Sequence, residues 1–297
     1  MDSFKKASRG DRVFYVVITV FLTLFFLVVL YPCVYVVSAS ISSGAALNAS
    51  KVTLFPVGFT LDSYKLVLAD STVWLSYGMS LFYTITGTFL SVALTMCGGY
   101  VLSRDDLPGG KIFITLFIIP MFFGGGMIPN YLLVSKLKLI NTIWAVILPP
   151  SLSAYNLIVA RTFIRTSIPR EMFDAANIDG ASDLRYFISV VLPLSKAIIA
   201  VECLFFGVGR WNTYFTPMLY LTEKKLYPLS LVIRQYLILN KINVDKLMDQ
   251  EKAEQALNLV AGMKYALIVI STVPVMMLYP FVQKHFAKGV MIGSIKG

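Results

Sequence analysis

Six stretches of the chain, 13–37, 74–102, 112–134, 142–164, 197–221 and 257–286, are apolar over bilayer length with few charges and no strict alternation. About 20 such residues span the hydrocarbon as a helix. Lipid offers the backbone no hydrogen-bond partner, so a segment that crosses alone must satisfy its amides internally. Barrel strands are shorter and alternate apolar with polar residues, which these runs do not. The pattern predicts an all-α membrane protein with six transmembrane helices, and it leaves no stretch for a separate globular domain. Lys5, Lys6, Arg9 and Arg12 before the first run resemble the start of a signal peptide, but the run exceeds the about 7–15 residues of such a segment, so a retained helix is expected. Two connections exceed the usual link of about 4–6 residues, 169–193 and 222–256, and are candidates for partner contact.

Composition agrees with this pattern. Of 297 residues 57% are hydrophobic and 14% charged, against roughly 45–50% and 25% in soluble domains, which argues against a soluble enzyme. The net charge of +10 speaks to topology before nucleic acid, for which no contact is expected. With the N-terminus inside, fourteen basic residues lie on the inner side and ten outside, six of those ten within 222–256, a long segment that weighs less in the positive-inside rule. Both termini are therefore expected in the cytoplasm of a multi-pass membrane protein in contact with lipid. Cys33, Cys97 and Cys203 fall within apolar runs and form no C-x-x-C pair, and the single His285 cannot build a histidine metal cluster. No catalytic residue and no metal ligand are expected.

The 169–193 loop predicts two short helices. Pro169 suits a first turn, Glu171 favours a helix N-terminus, Gly180 can take the left-handed conformation that stops a helix, and Ser182 and Asp183 can start the next. Met172, Ala176 and Asp179 share one side of the first helix, and Ala175 with Ala176 permits close approach. Acidic Glu171, Asp174, Asp179 and Asp183 nearly cancel the neighbouring arginines, which favours a protein partner over a lipid surface, where a basic face is usual.

The spacing Asp174-Ala-Ala-x-x-Asp-Gly180, nine residues, then Val190-x-Leu192-Pro193, resembles the EAA loop of ABC-importer permeases, with Asp174 in place of the usual Glu. Gly125-Gly-Met-Ile-Pro-Asn-Tyr-Leu, Asn141-Thr-Ile-Trp, the Phe206 to Pro217 stretch and the tail Lys288 to Gly297 resemble the carbohydrate branch, the maltose-permease-like and complex-oligosaccharide subunits. The resemblance implies the type I ABC-importer permease fold and an ATPase-coupling interface at Glu171, Asp174, Ala175, Ala176, Asp179, Gly180, Leu192 and Pro193. It also implies that the tail, with Gly293, Ser294, Lys296 and Gly297, reaches the ATPases, and that the outer loop 222–256 probes an extracellular or lipid-anchored solute-binding protein. No G-x-x-x-x-G-K-[ST] occurs, so no nucleotide cofactor is expected in this chain, ATP and Mg being bound by a partner ATPase dimer. A second homologous permease and an oligosaccharide substrate complete the implied assembly, which sits in the bacterial inner or plasma membrane and works by alternating access.

Glu202 and Arg210 lie inside the fifth run, where a charge must face protein or water; eight residues, about 12 Å on a helix, separate them. Arg210, Trp211, Asn212 and Tyr214 combine polar and aromatic groups suited to a sugar face. A packing or gating cluster between two permease subunits uses the same residues and is the slightly favoured alternative. Gly124-Gly-Gly126 with Pro129 interrupts the third run, as a hinge or as a plain kink. Asn130, Tyr131, Tyr155 and Asn156 are further pathway candidates, against which interhelical hydrogen bonding stands. The rival to an ABC permease is a stand-alone ion-coupled secondary transporter, which calls for inverted repeats that the sequence does not display. A membrane scaffold or membrane-embedded enzyme is a more distant rival, lacking the nucleophile and metal constellations an enzyme needs.

Overall fold

The computed structural model describes residues 8–243, 258 and 260–277, with helices and no strand among the described residues. Helix α1, Arg9–Ser40, opens on a capping box: the Ser8 hydroxyl accepts from the Asp11 amide at 3.2 Å, and the Asp11 carboxylate accepts from the Ser8 amide at 3.3 Å. From Val13 to Tyr31 consecutive large apolar side chains stand exposed on all sides, as a lipid-facing helix allows.

The chain forms two compact units. In the first, residues 1–70 with 235–272, the end of α1 is tied down by hydroxyls. Ser38 donates to the Leu54 carbonyl at 2.6 Å, Ser42 accepts from the Val57 amide at 3.1 Å, and Tyr64 donates to Ser40 at 2.9 Å. Short helices α2 (Gly44–Asn48) and α3 (Asp62–Ala69) follow. Tyr35 and Tyr265 meet edge to face, their hydroxyls 3.3 Å apart, and Asn48 donates to Asn258 at 2.7 Å.

The second unit, residues 71–234 with 273–297, is built on α4, Ser71–Ser103. Its buried positions Ser76, Ser80, Tyr83, Gly87, Ser91, Thr95 and Gly99 recur every three or four residues. Such a stripe of small residues lets neighbouring helix backbones approach closely without a hydrophobic driving force in lipid. Gly99 packs on the Ala160 and Arg161 backbone of α8 (Ala154–Ser167), and Gly87 faces Arg210 of α11 (Lys196–Asn212).

The third, fourth and fifth expected spans are broken. The third is α5 (Gly110–Phe122) and α6 (Met127–Lys136), bent by 118° at the glycine run, where Gly126 has φ +83°. The expected fourth span, 142–164, is no continuous helix: α7 (Ile143–Ile147) stops and α8 begins at Ala154. Pro149-Pro150 is the reason, since proline has no amide to donate and disfavours helix at the residue before it. After α9 (Arg170–Ile178), helix α10 (Asp183–Leu194) meets α11 at 80° across Ser195. α12 (Phe215–Tyr220) and α13 (Leu229–Asn243) follow, and α14 (Val260–Met277) is the described part of the sixth run. Three helices, over Gly10–Ser40, Ser71–Ser103 and Val260–Met277, are individually long and apolar enough to cross a membrane among the described residues, or five spans if each bent pair counts as one.

The turn before α7 depends on Asn141, whose backbone is left-handed at φ +59°. Its side-chain oxygen accepts from the Thr222 and Glu223 amides at 3.0 and 2.9 Å, and its amide nitrogen donates to the Glu223 carboxylate at 3.0 Å. Asn141→Ala loses all three bonds and strains the turn, so it is expected to cost about 1–3 kcal/mol. Thermal unfolding in detergent, with faster tryptic cleavage at Lys224 and Lys225, checks this.

Candidate functional site

Two places gather the polar and charged groups that the bundle has to explain: loop 169–193 and the buried Arg210. The loop folds as the α9–α10 pair. Pro169 precedes α9, Gly180 ends it with φ +71°, and the Ser182 hydroxyl accepts from the Arg185 amide at 3.4 Å to cap α10. Within α10, residues Phe187–Val191 form a π-helical turn just ahead of Pro193, which lacks the amide that would return to the Ser189 carbonyl.

On α9 the two faces divide differently from the simple i, i+4 expectation. Phe173 and Ala176 turn inward, packing on a core of Met96, Tyr100, Ala160, Ile164, Tyr186 and Phe187. Glu171, Met172, Asp174, Ala175 and Asp179 are exposed, as is Gly180, and Ile178 is 88% exposed. On the second helix Leu192 is half-buried against the core while Pro193 and Leu184 are exposed. The outward face of the loop is thus acidic with a large apolar residue, Ile178, whose place in the pattern only the helix orientation reveals.

Arg104, just beyond α4, holds this loop. Its Nε donates to Asp106 at 2.8 Å and Nη2 to the other Asp106 oxygen; Nη1 donates to Asp183 of α10 and, at 3.3 Å, to Tyr100. The guanidinium lies 4.4 Å from the ring centre of Phe173 on α9. The Asp106 carboxylate, the largest influence, raises the guanidinium pKa further, and Arg104 in turn holds the Asp106 carboxyl below its usual range. Asp105 adds ion pairs to Arg165 at 3.0 Å and Arg170 at 3.5 Å, and the Arg161 Nε donates to the Leu102 carbonyl at 2.8 Å.

The other centre is Arg210, 8% exposed on α11. Its Nη2 donates to Ser91 of α4 at 2.8 Å, to the Ile147 and Pro150 carbonyls at 3.2 and 3.4 Å, and to Ser151 at 3.3 Å. Where α7 ends, the Ser151 amide turns to the Leu148 carbonyl, and the Ile147 carbonyl accepts from the Ser151 hydroxyl as well as from Arg210. Any side chain at Gly87 would occupy the space of the guanidinium. A cavity of about 160 Å³, lined by Tyr83, Phe205 and Thr213 among others, lies beside it.

Glu202, 1% exposed and two turns away, has no hydrogen-bond partner for either carboxyl oxygen among the described residues, and nor do the Thr88 and Thr95 hydroxyls of α4.

The remaining pathway candidates do not converge. Trp211 is buried edge-on against Tyr77 at 5.6 Å. Asn212 is exposed and donates to its own helix at Val208, while Tyr214 is 44% exposed beneath the Arg234 guanidinium. Asn156 is buried, whereas Tyr155 and Asn130 are exposed, Asn130 in a groove with Leu219 and Tyr220. Tyr131 stacks on Tyr220. The tail residues Gly293, Ser294, Lys296 and Gly297 lie outside the described residues, as does the charged stretch of the outer loop at 245–254. The described part of that loop is held to α4 by the Leu229 amide donating to Ser80 at 2.8 Å and by Tyr83 donating to the Leu226 carbonyl at 3.0 Å.

Comparison with known proteins places this architecture. Residues 111–292 match the family described as binding-protein-dependent transport system inner membrane component. Protein LplC of Bacillus subtilis (strain 168) is 39% identical over 98% of this chain and 97% of its own length. The polygalacturonan/rhamnogalacturonan transport system permease protein YtcP of the same organism is 38% identical over 97% and 99%. Among solved structures, a chain from the crystal structure of a bacterial ABC transporter involved in the import of the acidic polysaccharide alginate superposes with a TM-score of 0.84 at 35% identity, covering 94% of this chain and 99% of that one.

Arg210→Met removes the two Nη2 hydrogens shared among Ser91, Ser151 and the Ile147 and Pro150 carbonyls, so a loss of about 2–4 kcal/mol is expected. Glu202→Met removes a buried carboxyl that has no partner, and its unfolding temperature is expected to match or exceed that of the unaltered protein. Thermal unfolding of both variants in the same detergent distinguishes the two roles.

Proposed function

The chain belongs to the family of binding-protein-dependent transport system inner membrane components, and we propose that it imports oligosaccharides as one permease of a two-permease ABC transporter. It is the permease subunit of an ABC importer, a multi-pass membrane protein and not itself an enzyme. Membership in a binding-protein-dependent system sets the stand-alone carrier aside, because such a system divides recognition, translocation and ATP hydrolysis among separate proteins.

Within that frame, ATP and Mg are held by a partner ATPase dimer that docks on loop 169–193, whose side carries both termini in the cytoplasm. The observation that carries the docking assignment is the outward face of α9, where Glu171, Asp174, Ala175 and Ile178 stand exposed on a helix anchored from behind by Phe173 and Ala176. An exposed apolar residue among acidic ones, on a rigid support, suits a protein groove better than lipid. The second permease lies beside this one, the tail 288–297 approaches the ATPases, and a solute-binding protein delivers sugar at the 222–256 side. Two similar proteins bear names tied to polygalacturonan/rhamnogalacturonan and alginate, so fragments of acidic polysaccharides are the first substrate class to test. The burial of Arg210 and its commitment to α7 and α4 leave sugar recognition to other groups, including those of the second permease.

Gly180→Val tests the docking. The added side chain meets no atom within 4 Å but is strained at φ +71°, so the helices are expected to insert normally while the α9–α10 turn is reshaped. Loss of ATPase co-purification and of oligosaccharide uptake is the expected outcome. Uptake at the unaltered rate would sink the assignment.

A further inference from the structure

We propose that Arg104 is the positioning residue that carries displacement of the α9–α10 loop into α4, the helix around which the second unit is packed. The inference rests on the docking of an ATPase at that loop and adds the route by which its motion enters the membrane.

The covalent routes out of the loop are both interrupted. Forward, the chain passes through the π turn at Phe187–Val191 and the 80° break at Ser195 before it reaches α11. Backward, it passes through Ile168 and Pro169, outside any helix. Arg104 bypasses both. One planar group donates both to Asp106 and to Asp183 at the start of α10, bonds Tyr100 within α4, and stacks on Phe173 of α9.

A guanidinium offers five donors in a fixed plane, so a fork engaged on every side has little freedom to absorb a shift. An ammonium on a flexible stem can follow one carboxylate and swing. With its side chain only 19% exposed, the fork is also partly shielded from screening.

Moving α9 and α10 together therefore either breaks the fork or moves the end of α4. The Ser91–Arg210 bond then relays α4 movement to α11 and to the carbonyls that end α7.

The test uses the purified complex in lipid nanodiscs, with Cys33→Ala and Cys203→Ala leaving Cys97, exposed on α4, as the single site for a nitroxide label. ATP with orthovanadate is the probe, and the change in label mobility is compared with ATP hydrolysis for Arg104→Lys, Asp183→Asn and the double variant. Hydrolysis is expected to stay within about twofold of the unaltered complex, while the equilibrium shift of α4 falls about tenfold in each single variant. The double variant is expected to fall no further, because both changes cut one link. An unaltered complex whose label ignores ATP overturns the proposal, as do single variants that respond fully. Additive losses accompanied by falling hydrolysis overturn it too, since they mark a merely structural role. An unaltered complex that brings no ATPase overturns the docking reading, and this inference with it.

Discussion

Where a helix ends inside the bundle its last carbonyls need donors from elsewhere, and in the second unit one buried arginine serves such an end. α7 ends ahead of Pro149-Pro150, and the carbonyls there accept from side chains, Ile147 from Ser151 and Arg210 and Pro150 from Arg210. Arg210 reaches them from α11 while also bonding Ser91 of α4, so one guanidinium joins three elements. The arginine in turn requires Gly87, since a Cβ there would collide with it. The cost of burying the charge, at a site only 8% exposed, is partly offset by the hydrogen bonds of Nη2 to two serine hydroxyls and two carbonyls, while Nε has no partner among the described residues.

The same economy of form appears at the C-terminal end of α4, with a different purpose. Arg104 and Asp105 bind α8, α9 and α10 in a set of ion pairs and one cation–π contact, at a surface where single salt bridges stabilise little. Their value lies in geometry. The loop that α9 and α10 form is held in one orientation relative to α4, so its acidic and apolar outward face is presented as a fixed shape and not as a flexible strap.

Much of this was legible beforehand in particular residues. The spacing from Asp174 to Pro193 marked two helices and their turn, and Gly180 occupies the left-handed position that the motif required. The glycine run at 124–126 marked a break, which the structure places as a 118° bend. The run 142–164 was misread as one span because its hydropathy is continuous through Pro149-Pro150; composition averages over two residues whose backbone chemistry ends the helix. Spacing puts Ala176 on one side of its helix with Met172 and Asp179, whereas the structure half-buries it beside Phe173, which packs on Tyr186. Arg104 was visible only as one inner-side charge, since nothing local ties it to Asp183, seventy-nine positions away.

By itself, then, the order of residues determined that this chain lives in a membrane as helices, where a loop suited to a partner lies, and which family it resembles, because hydropathy, turn chemistry and motif spacing are local properties. Only the tertiary structure decided what the buried and half-buried charges do. Whether Arg210 faces a sugar or a broken helix, and whether Arg104 faces water or two helices of a distant loop, depends on which elements meet. Those meetings are set by the close packing of small residues along α4, a property of surfaces brought together and not of any one segment.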